Sequence, residues 1–230
     1  YGKYLGRAIE SAINQTYKKI YIIIVDDAST DISKKILKKY ERYNFIKIIY
    51  NKKRKGLIKS SNIAIRASKS KFILRLDADD YLHPDALKRM YFKIKKNSNI
   101  ALIFPDYYWV DKKSKILSRF KYKHKSNYTI KDLPAHGACS LINKKILTKI
   151  GGYNEKFDRQ DGYYIWFLIL FNQFKIIHCA EPLFYYRKHG KNLSSGLKEI
   201  LSTRLNILKY FLSKNFKFNS ILLFHKKILF

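Results

Sequence analysis

The sequence predicts an α/β fold in which a mostly parallel, Rossmann-like sheet is flanked by helices. Strand-like and helix-like patterns alternate through the first hundred residues, and the strand-like segments are continuous apolar runs. Such runs are typical of strands that are covered on both faces. Acidic clusters directly follow two of these runs. Because ligands of α/β sheets lie at the carboxyl ends of the strands, these clusters also indicate where a site would lie.

The elements of the first half follow in order from their patterns. Leu5, Ala8, Ile9 and Ile13 have helical spacing, which predicts the first helix. The polar residues at 29–31 are plausible caps for the second helix, and Pro84 suits the first turn of the fourth. We predict strands at 20–25, 45–50 and 72–76, and helices at 4–15, about 31–43, 57–68 and 84–96.

The second half is less regular. We predict strands at 100–104, 138–142, 175–179 and 183–187, and helices at 144–150 and 162–172. From Lys198 onward, apolar and basic residues alternate at helical spacing, so this tail either docks on the core or lies on a membrane. We therefore expect a domain over 1–195 and a helical tail over 196–230.

The formal net charge of the chain is +31. The lysines are spread along the whole sequence and no nucleic-acid-binding motif occurs, so we do not expect nucleic acid as a partner. The charge suits anionic membranes or nucleotide phosphates, although biased coding would also produce it. The two cysteines lack metal-ligand spacing, which is typical of reduced thiols. We expect a cytoplasmic protein with peripheral contact at the inner face of the membrane.

Acidic residues end two of the predicted strands. Asp26 and Asp27 follow the run at 20–25, and Asp77, Asp79 and Asp80 follow the run at 72–76. A buried charge without a partner is costly, and oxygen ligands suit Mg²⁺ or Mn²⁺. On an extended backbone, residues two apart point the same way, so Asp77 and Asp79 are expected to share one side. A solvated acidic turn is the simpler alternative.

Four features occur in a fixed order along the chain: Val25-Asp26-Asp27-Ala28-Ser29, then Gly56 with Asn62, then Asp77-Ala78-Asp79-Asp80, and finally Arg187-Lys188-His189. This series resembles family 2 glycosyltransferases of the GT-A fold, over roughly 1–195. The segment at 4–17 resembles the first helix of that family. We expect the strand that precedes this helix in the family to be missing, which would make this an N-terminally truncated domain.

The resemblance implies transfer of a sugar from a nucleoside diphosphate sugar to an acceptor hydroxyl, with inversion. The donor-binding residues it implies are Asp26, Asp27, Gly56, Asn62, Asp77, Arg187 and His189. One acid of the first pair would contact the nucleobase, and Asp77 would lie near the ribose. Asp79 would bind Mg²⁺ or Mn²⁺ on the diphosphate, over which Arg187 and His189 would close.

The resemblance also implies a general base in a Glu-Asp pair that opens a Trp-containing helix. In this sequence Gln160 replaces the Glu, which makes Asp161 the best candidate. Asp161 lies five residues before Trp166, not the four usual in the family, and Asp158 is the fallback. A simple helix-capping role for Asp161 stays open.

Ser60-Ser61 stand where the family often has Ala-Arg, and Lys59 is the candidate substitute for the lost Arg. The implied setting is surface polysaccharide or glycolipid assembly, with a saccharide or lipid-linked acceptor. The alternatives are a nucleotidyltransferase, which would release pyrophosphate, a basic nucleic-acid-binding module, and an inactive fragment.

Overall fold

The computed structural model describes residues 1–122, 137–190, 192 and 196–214. The helices are α1 (Gly2–Ile13), α2 (Ser33–Lys38), α3 (Leu57–Ala67), α4 (Ala86–Ile94), α5 (Lys144–Lys149), α6 (Asp161–Phe171) and α7 (Leu197–Ser213). The strands are β1 (Ile22–Asp26), β2 (Ile46–Tyr50), β3 (Phe72–Leu74), β4 (Tyr81–Leu82), β5 (Ile100–Val110), β6 (Ile116–Phe120), β7 (Leu141–Asn143) and β8 (Lys175–Arg187).

The strands form a two-stranded sheet, β1-β2, and a six-stranded sheet with the order β3-β7-β5-β8-β4, in which β6 pairs with β5. The pairs β1–β2 and β5–β8 are parallel, whereas β3–β7, β5–β7, β4–β8 and β5–β6 are antiparallel. The strand pairing is therefore mixed within the predicted α/β class. At β5 and β6 the direction follows from the short connection, because a short turn can join only antiparallel neighbours, while parallel strands need a long crossover.

Strand lengths also differ from the prediction. The strand predicted at 100–104 continues as β5 to Val110, and the strands predicted at 175–179 and 183–187 are one strand, β8. The β5–β8 register shifts between Pro105 and Asp106, opposite Cys179 and Pro182. Pro182 cannot donate to a ladder, and it lies at this irregularity within the strand.

β1 and β3 are not hydrogen-bonded to each other. An apolar groove of about 500 Å³ separates them and is also lined by the apolar side of α1. Within the described residues no strand occupies this groove, and the predicted missing first strand stays a prediction.

α6 forms the centre of the largest core cluster. Residues 161–169 of α6 are all buried, as expected for a helix that is apolar on every side. Trp166 is 1% exposed, and its ring lies 4.7 Å from that of Phe104 in β5. This packing fixes the start of α6, and therefore Asp161, relative to the six-stranded sheet. Within the described residues, none of the helices combines the length and apolar character needed to cross a bilayer.

Candidate active site

A cleft of about 490 Å³ lies where β1, β3 and the start of α6 converge. Its six acidic side chains come from three separate segments of the chain, and basic groups face these acids. The acids are Asp27, Asp31, Asp77, Asp79, Asp80 and Asp161, and the basic groups are Arg54, Arg75 and Arg159. The two acidic clusters therefore lie in one site, which was the expectation from the carboxyl ends of the strands.

Asp27, and not Asp26, faces the cleft. Asp26 ends β1 and is 5% exposed, whereas Asp27 accepts hydrogen bonds from Asn51 Nδ2 (2.9 Å), Lys55 N (2.8 Å) and Gly56 N (2.7 Å). Burial opposes ionisation of Asp27, but these donors lower its pKa below the ordinary value. Gly56 has φ +88°, a conformation that favours glycine, so this residue type lets the loop wrap around the carboxylate.

The second acidic cluster is held by a turn and not by an extended strand. β3 ends at Leu74, and Asp80 N donates to Asp77 O (3.1 Å). Strand alternation therefore does not explain why Asp77 and Asp79 share the cleft; the turn does. Asp80 is 2% exposed and its Oδ1 accepts from Arg187 N (2.8 Å). Burial, followed by the charges of Asp79 and Asp77, raises the pKa of Asp80 well above its ordinary value.

Asp79 contacts His189, although 110 residues separate them. The distance from Asp79 Oδ2 to His189 Nε2 is 2.8 Å, and the imidazole stacks on Tyr4 with ring centroids 5.8 Å apart. His189 N donates to Asn192 Oδ1 (3.1 Å), while Asn192 Nδ2 donates to Arg187 O (2.7 Å). The segment after β8 is thereby fixed beside Asp79, and the role of His189 toward a diphosphate stays a prediction.

Arg187 is placed differently from the prediction that it contacts the diphosphate. It is 1% exposed; its Nε donates to Asp79 O (2.7 Å), and its Nη1 donates to Asp111 O (2.9 Å) and Ser114 Oγ (2.8 Å). A buried guanidinium needs such acceptors, so these bonds occupy the group that was expected to reach the ligand. Arg187 therefore positions the turn that carries Asp79.

We expect Arg187→Met to lower the free energy of unfolding by about 3–5 kcal/mol, because it leaves several buried acceptors around the guanidinium without donors, at a cost of about 1–3 kcal/mol each. Urea denaturation measures the change. The matched control is Arg89→Met: Arg89 is 57% exposed and pairs with Glu181 at 3.5 Å, so its loss is expected to cost less than about 1 kcal/mol. Unchanged stability of Arg187→Met with weaker donor binding would instead support the original assignment.

Asp161 lines the cleft at the first turn of α6. It is 5% exposed, and its Oδ2 is paired with Arg75 Nη1. Arg75 Nε also lies 3.0 Å from Asp77 Oδ1, so one guanidinium joins the two acids. Burial of Arg75 disfavours its charge, but Asp161 and Asp77 together raise its pKa. Asp158, the fallback base, has an 81% exposed side chain and does not line the cleft.

Asn62 does not line the cleft. Its Nδ2 donates to Tyr153 O (2.9 Å) and to Glu155 Oε1 (2.9 Å), which ties α3 to the segment before α6. Lys59, suggested as the substitute for a lost arginine, also lies outside the cleft, which Arg54 lines instead. The sequence-based reasoning missed Arg54 and Arg75. Arg75 had a visible signal, because it interrupts the apolar run at 72–76.

The described residues contain no group of three or more acidic, histidine or cysteine side chains arranged to hold a metal ion. Asp79 nevertheless offers a carboxylate in a cleft lined by further acids. This donor set fits Mg²⁺ or Mn²⁺, because such ions bind through one or two carboxylates and complete their coordination with substrate phosphates and water.

The model of glycosyl transferase family 2 matches residues 1–151 of the chain. The chain is 33% identical over 192 residues to an uncharacterized glycosyltransferase of Methanocaldococcus jannaschii, covering 80% of this chain and 66% of that protein. It is 31% identical over 204 residues to the UDP-Glc:alpha-D-GlcNAc-diphosphoundecaprenol beta-1,3-glucosyltransferase of Escherichia coli. That match covers 87% of this chain and 78% of the E. coli protein. The chain thus spans about two thirds of the first relative.

Solved structures confirm the predicted fold class. S. aureus TarS 1-349 in complex with UDP-GlcNAc superposes with a TM-score of 0.75 at 17% identity, covering 92% of this chain and 64% of that one. GalNAc-T7 with UDP, GalNAc and Mn²⁺ has a TM-score of 0.71 at 16% identity, covering 90% of this chain and 45% of that one. At these identities the likeness shows the GT-A fold alone. The family match, which extends over more than half of the chain, shows that this chain belongs to glycosyl transferase family 2.

Proposed function

We propose that this chain is an inverting glycosyltransferase that moves a sugar from a nucleoside diphosphate sugar to an acceptor hydroxyl. The observation that carries the proposal is the convergence of Asp27, Asp77, Asp79 and Asp161 on one cleft. These acids come from distant parts of the chain and match the positions that the family resemblance assigns to the nucleobase, the ribose, the diphosphate and the general base.

The donor would lie along the cleft from Asp27 toward Asp161. Asp27 and the adjacent Gly56 would hold the nucleoside end, and Asp77 the ribose. Asp79 would hold Mg²⁺ or Mn²⁺, with His189 beside the diphosphate. A bound divalent cation neutralises the charge that develops on the leaving diphosphate. Arg187 supports this arrangement from within the core, through its bond to Asp79 O.

Asp161 would act as the general base toward the acceptor hydroxyl. Base catalysis needs a carboxylate that is held in position, and the ion pair with Arg75 holds Asp161 at the cleft. Since α6 is buried along most of its length, its first turn is a rigid platform. Inversion follows if the hydroxyl attacks from the side of the sugar opposite the leaving diphosphate.

We propose a UDP-sugar as the donor and a saccharide or lipid-linked acceptor, in surface polysaccharide or glycolipid assembly. The name of the E. coli relative, which specifies UDP-Glc and a diphosphoundecaprenol-linked sugar, supports this choice. The structural neighbours with UDP-GlcNAc, and with UDP and Mn²⁺, support the nucleotide and the cation. A cytoplasmic location with peripheral membrane contact would give access to such an acceptor.

The proposal predicts that UDP-sugars raise the melting temperature of the protein, and that they do so more strongly with Mn²⁺ present. A thermal-shift panel of UDP-, GDP- and CDP-sugars tests donor choice, with the free sugars as controls. Product analysis tests the reaction, because sugar transfer releases a nucleoside diphosphate. Pyrophosphate as the product, or no stabilisation by any nucleotide sugar, would contradict the proposed function.

A further inference from the structure

Helix α7 exposes a stripe of leucines. Leu197 is 72% exposed, Leu201 51%, Leu205 57% and Leu212 38%. Their separations of four, four and seven residues place them along one side of the helix. We call these four residues the leucine stripe. Single exposed leucines are ordinary, but an aligned set on one helix indicates a contact surface.

The leucine stripe is not the side by which α7 packs on the protein. Ile207, Leu208 and Phe211 form that side, and all are buried in the core cluster around α6. The ring of Phe211 stacks on that of Phe167, with centroids 4.1 Å apart. The apolar arc of α7 is therefore wider than its contact with the core, and the uncovered part is the leucine stripe.

The charges around the leucine stripe favour an anionic bilayer as its partner. Exposed Lys198 and Lys209 border the stripe, and Glu199 is the only acid in the sequence of α7. The chain carries a formal charge of +31, so a second copy would be repelled, whereas anionic headgroups would be attracted. Leucines flanked by lysines on a helix surface are typical of helices that lie in the membrane interface.

The leucine stripe is also coupled to the cleft. Arg204, which lies between Leu201 and Leu205 in the sequence, donates from Nε to Gln160 Oε1 at 2.8 Å. Gln160 lines the cleft and directly precedes Asp161. A bilayer against the leucine stripe would therefore lie close to the proposed general base.

We propose that the leucine stripe docks this protein on anionic membranes, so that the cleft faces an acceptor carried by a lipid. The choice of a lipid-linked acceptor rests on the proposed function, but docking itself does not. Residues inserted at the headgroup level contribute through the apolar area they bury, while the lysines add an attraction that salt weakens.

Co-flotation of the full chain with vesicles tests the proposal, without donor or cation. We expect binding to vesicles of phosphatidylcholine with phosphatidylglycerol, and much weaker binding to phosphatidylcholine alone. Leu201→Gln with Leu205→Gln should lower the affinity by about tenfold or more, because it removes inserted apolar area from the centre of the leucine stripe. Glutamine keeps the helix propensity high, and circular dichroism checks that α7 is intact.

The matched control is Ile116→Thr with Leu117→Thr. These residues are 52% and 54% exposed on β6, and threonine suits a strand. This variant should float like the unaltered protein. The proposal is overturned if both variants lose vesicle binding equally, or if they bind vesicles as well as the unaltered protein does. It is also overturned if the unaltered full chain does not bind vesicles. If vesicle binding persists while no nucleotide sugar is turned over, the proposed function has failed and the docking surface stands.

Discussion

Asp161→Asn is expected to slow sugar transfer by about 10²–10⁴-fold, the range that a positioned general base contributes. Asparagine has the shape of aspartate and can still accept a hydrogen bond from Arg75, but it cannot take a proton from the acceptor hydroxyl. Because Asp161 lies at the α6 end of the cleft and Asp27 at the β1 end, the affinity for the nucleotide should change little. Steady-state release of nucleoside diphosphate with acceptor, together with calorimetric binding of the donor, measures the two effects separately.

The control for this prediction is Asp158→Asn. Asp158 lies three residues earlier, is 81% exposed and pairs only at 3.6 Å with its neighbour Arg159. We expect its loss to leave turnover unchanged. If Asp158→Asn abolished transfer and Asp161→Asn did not, Asp158 would be the base. The start of α6 would then align differently with the Glu-Asp pair of the family. If Asp161→Asn weakened donor binding as strongly as turnover, Asp161 would be a donor-binding residue and not a base.

The sequence predicted the parts of the site that lie next to a strand or helix in the chain. Asp27 and Asp79 each follow an apolar run, so a local pattern was enough to select them, whereas Asp161 was selected through the family resemblance. It did not predict which acid of the first pair faces the cleft. That depends on Asn51, Lys55 and Gly56, which approach Asp27 from a loop 24 to 29 residues away.

The role of Arg187 shows why long-range partners escape such reasoning. Its guanidinium bonds to Asp79 O, 108 residues away, and to Asp111 O, 76 residues away. A basic residue at the end of a strand looks the same in the sequence whether it faces a ligand or the core. Only the pairing of β8 with β5 decides, because it brings the turn after β5 to the guanidinium.

Arg75 is the opposite case, because the sequence carries a signal for its burial that the sequence-based reasoning did not use. A single cation inside an apolar run must find an anionic partner, and the acids at 77–80 offered an adjacent one. The pairing with Asp161, 86 residues away, was not visible. The sheet makes that contact, since it brings the end of β3 to the start of α6.

Asp79→Ala is expected to lower transfer by about 10²–10³-fold, comparable to the loss of one preorganised group that stabilises developing charge. The response to Mn²⁺ identifies Asp79 as a metal ligand. The unaltered protein should bind a UDP-sugar more tightly with Mn²⁺ than without it, whereas Asp79→Ala should bind it equally in both conditions. Calorimetric titration with and without Mn²⁺ measures it.

Two further variants separate the metal role of Asp79 from other roles of the same side chain. His189→Asn removes the partner at 2.8 Å but leaves the carboxylate, so the gain from Mn²⁺ should persist even if donor affinity falls. Asp85→Ala removes an acid that bonds Thr16 at 2.7 Å outside the cleft, and it should behave like the unaltered protein. If Mn²⁺ raised the affinity of Asp79→Ala for the UDP-sugar as much as that of the unaltered protein, another acid would be the metal ligand. Asp77 would be the first alternative, because it lines the same cleft. Arg75 pairs with both Asp77 and Asp161, so a cation on Asp77 would compete with the guanidinium that holds the proposed base.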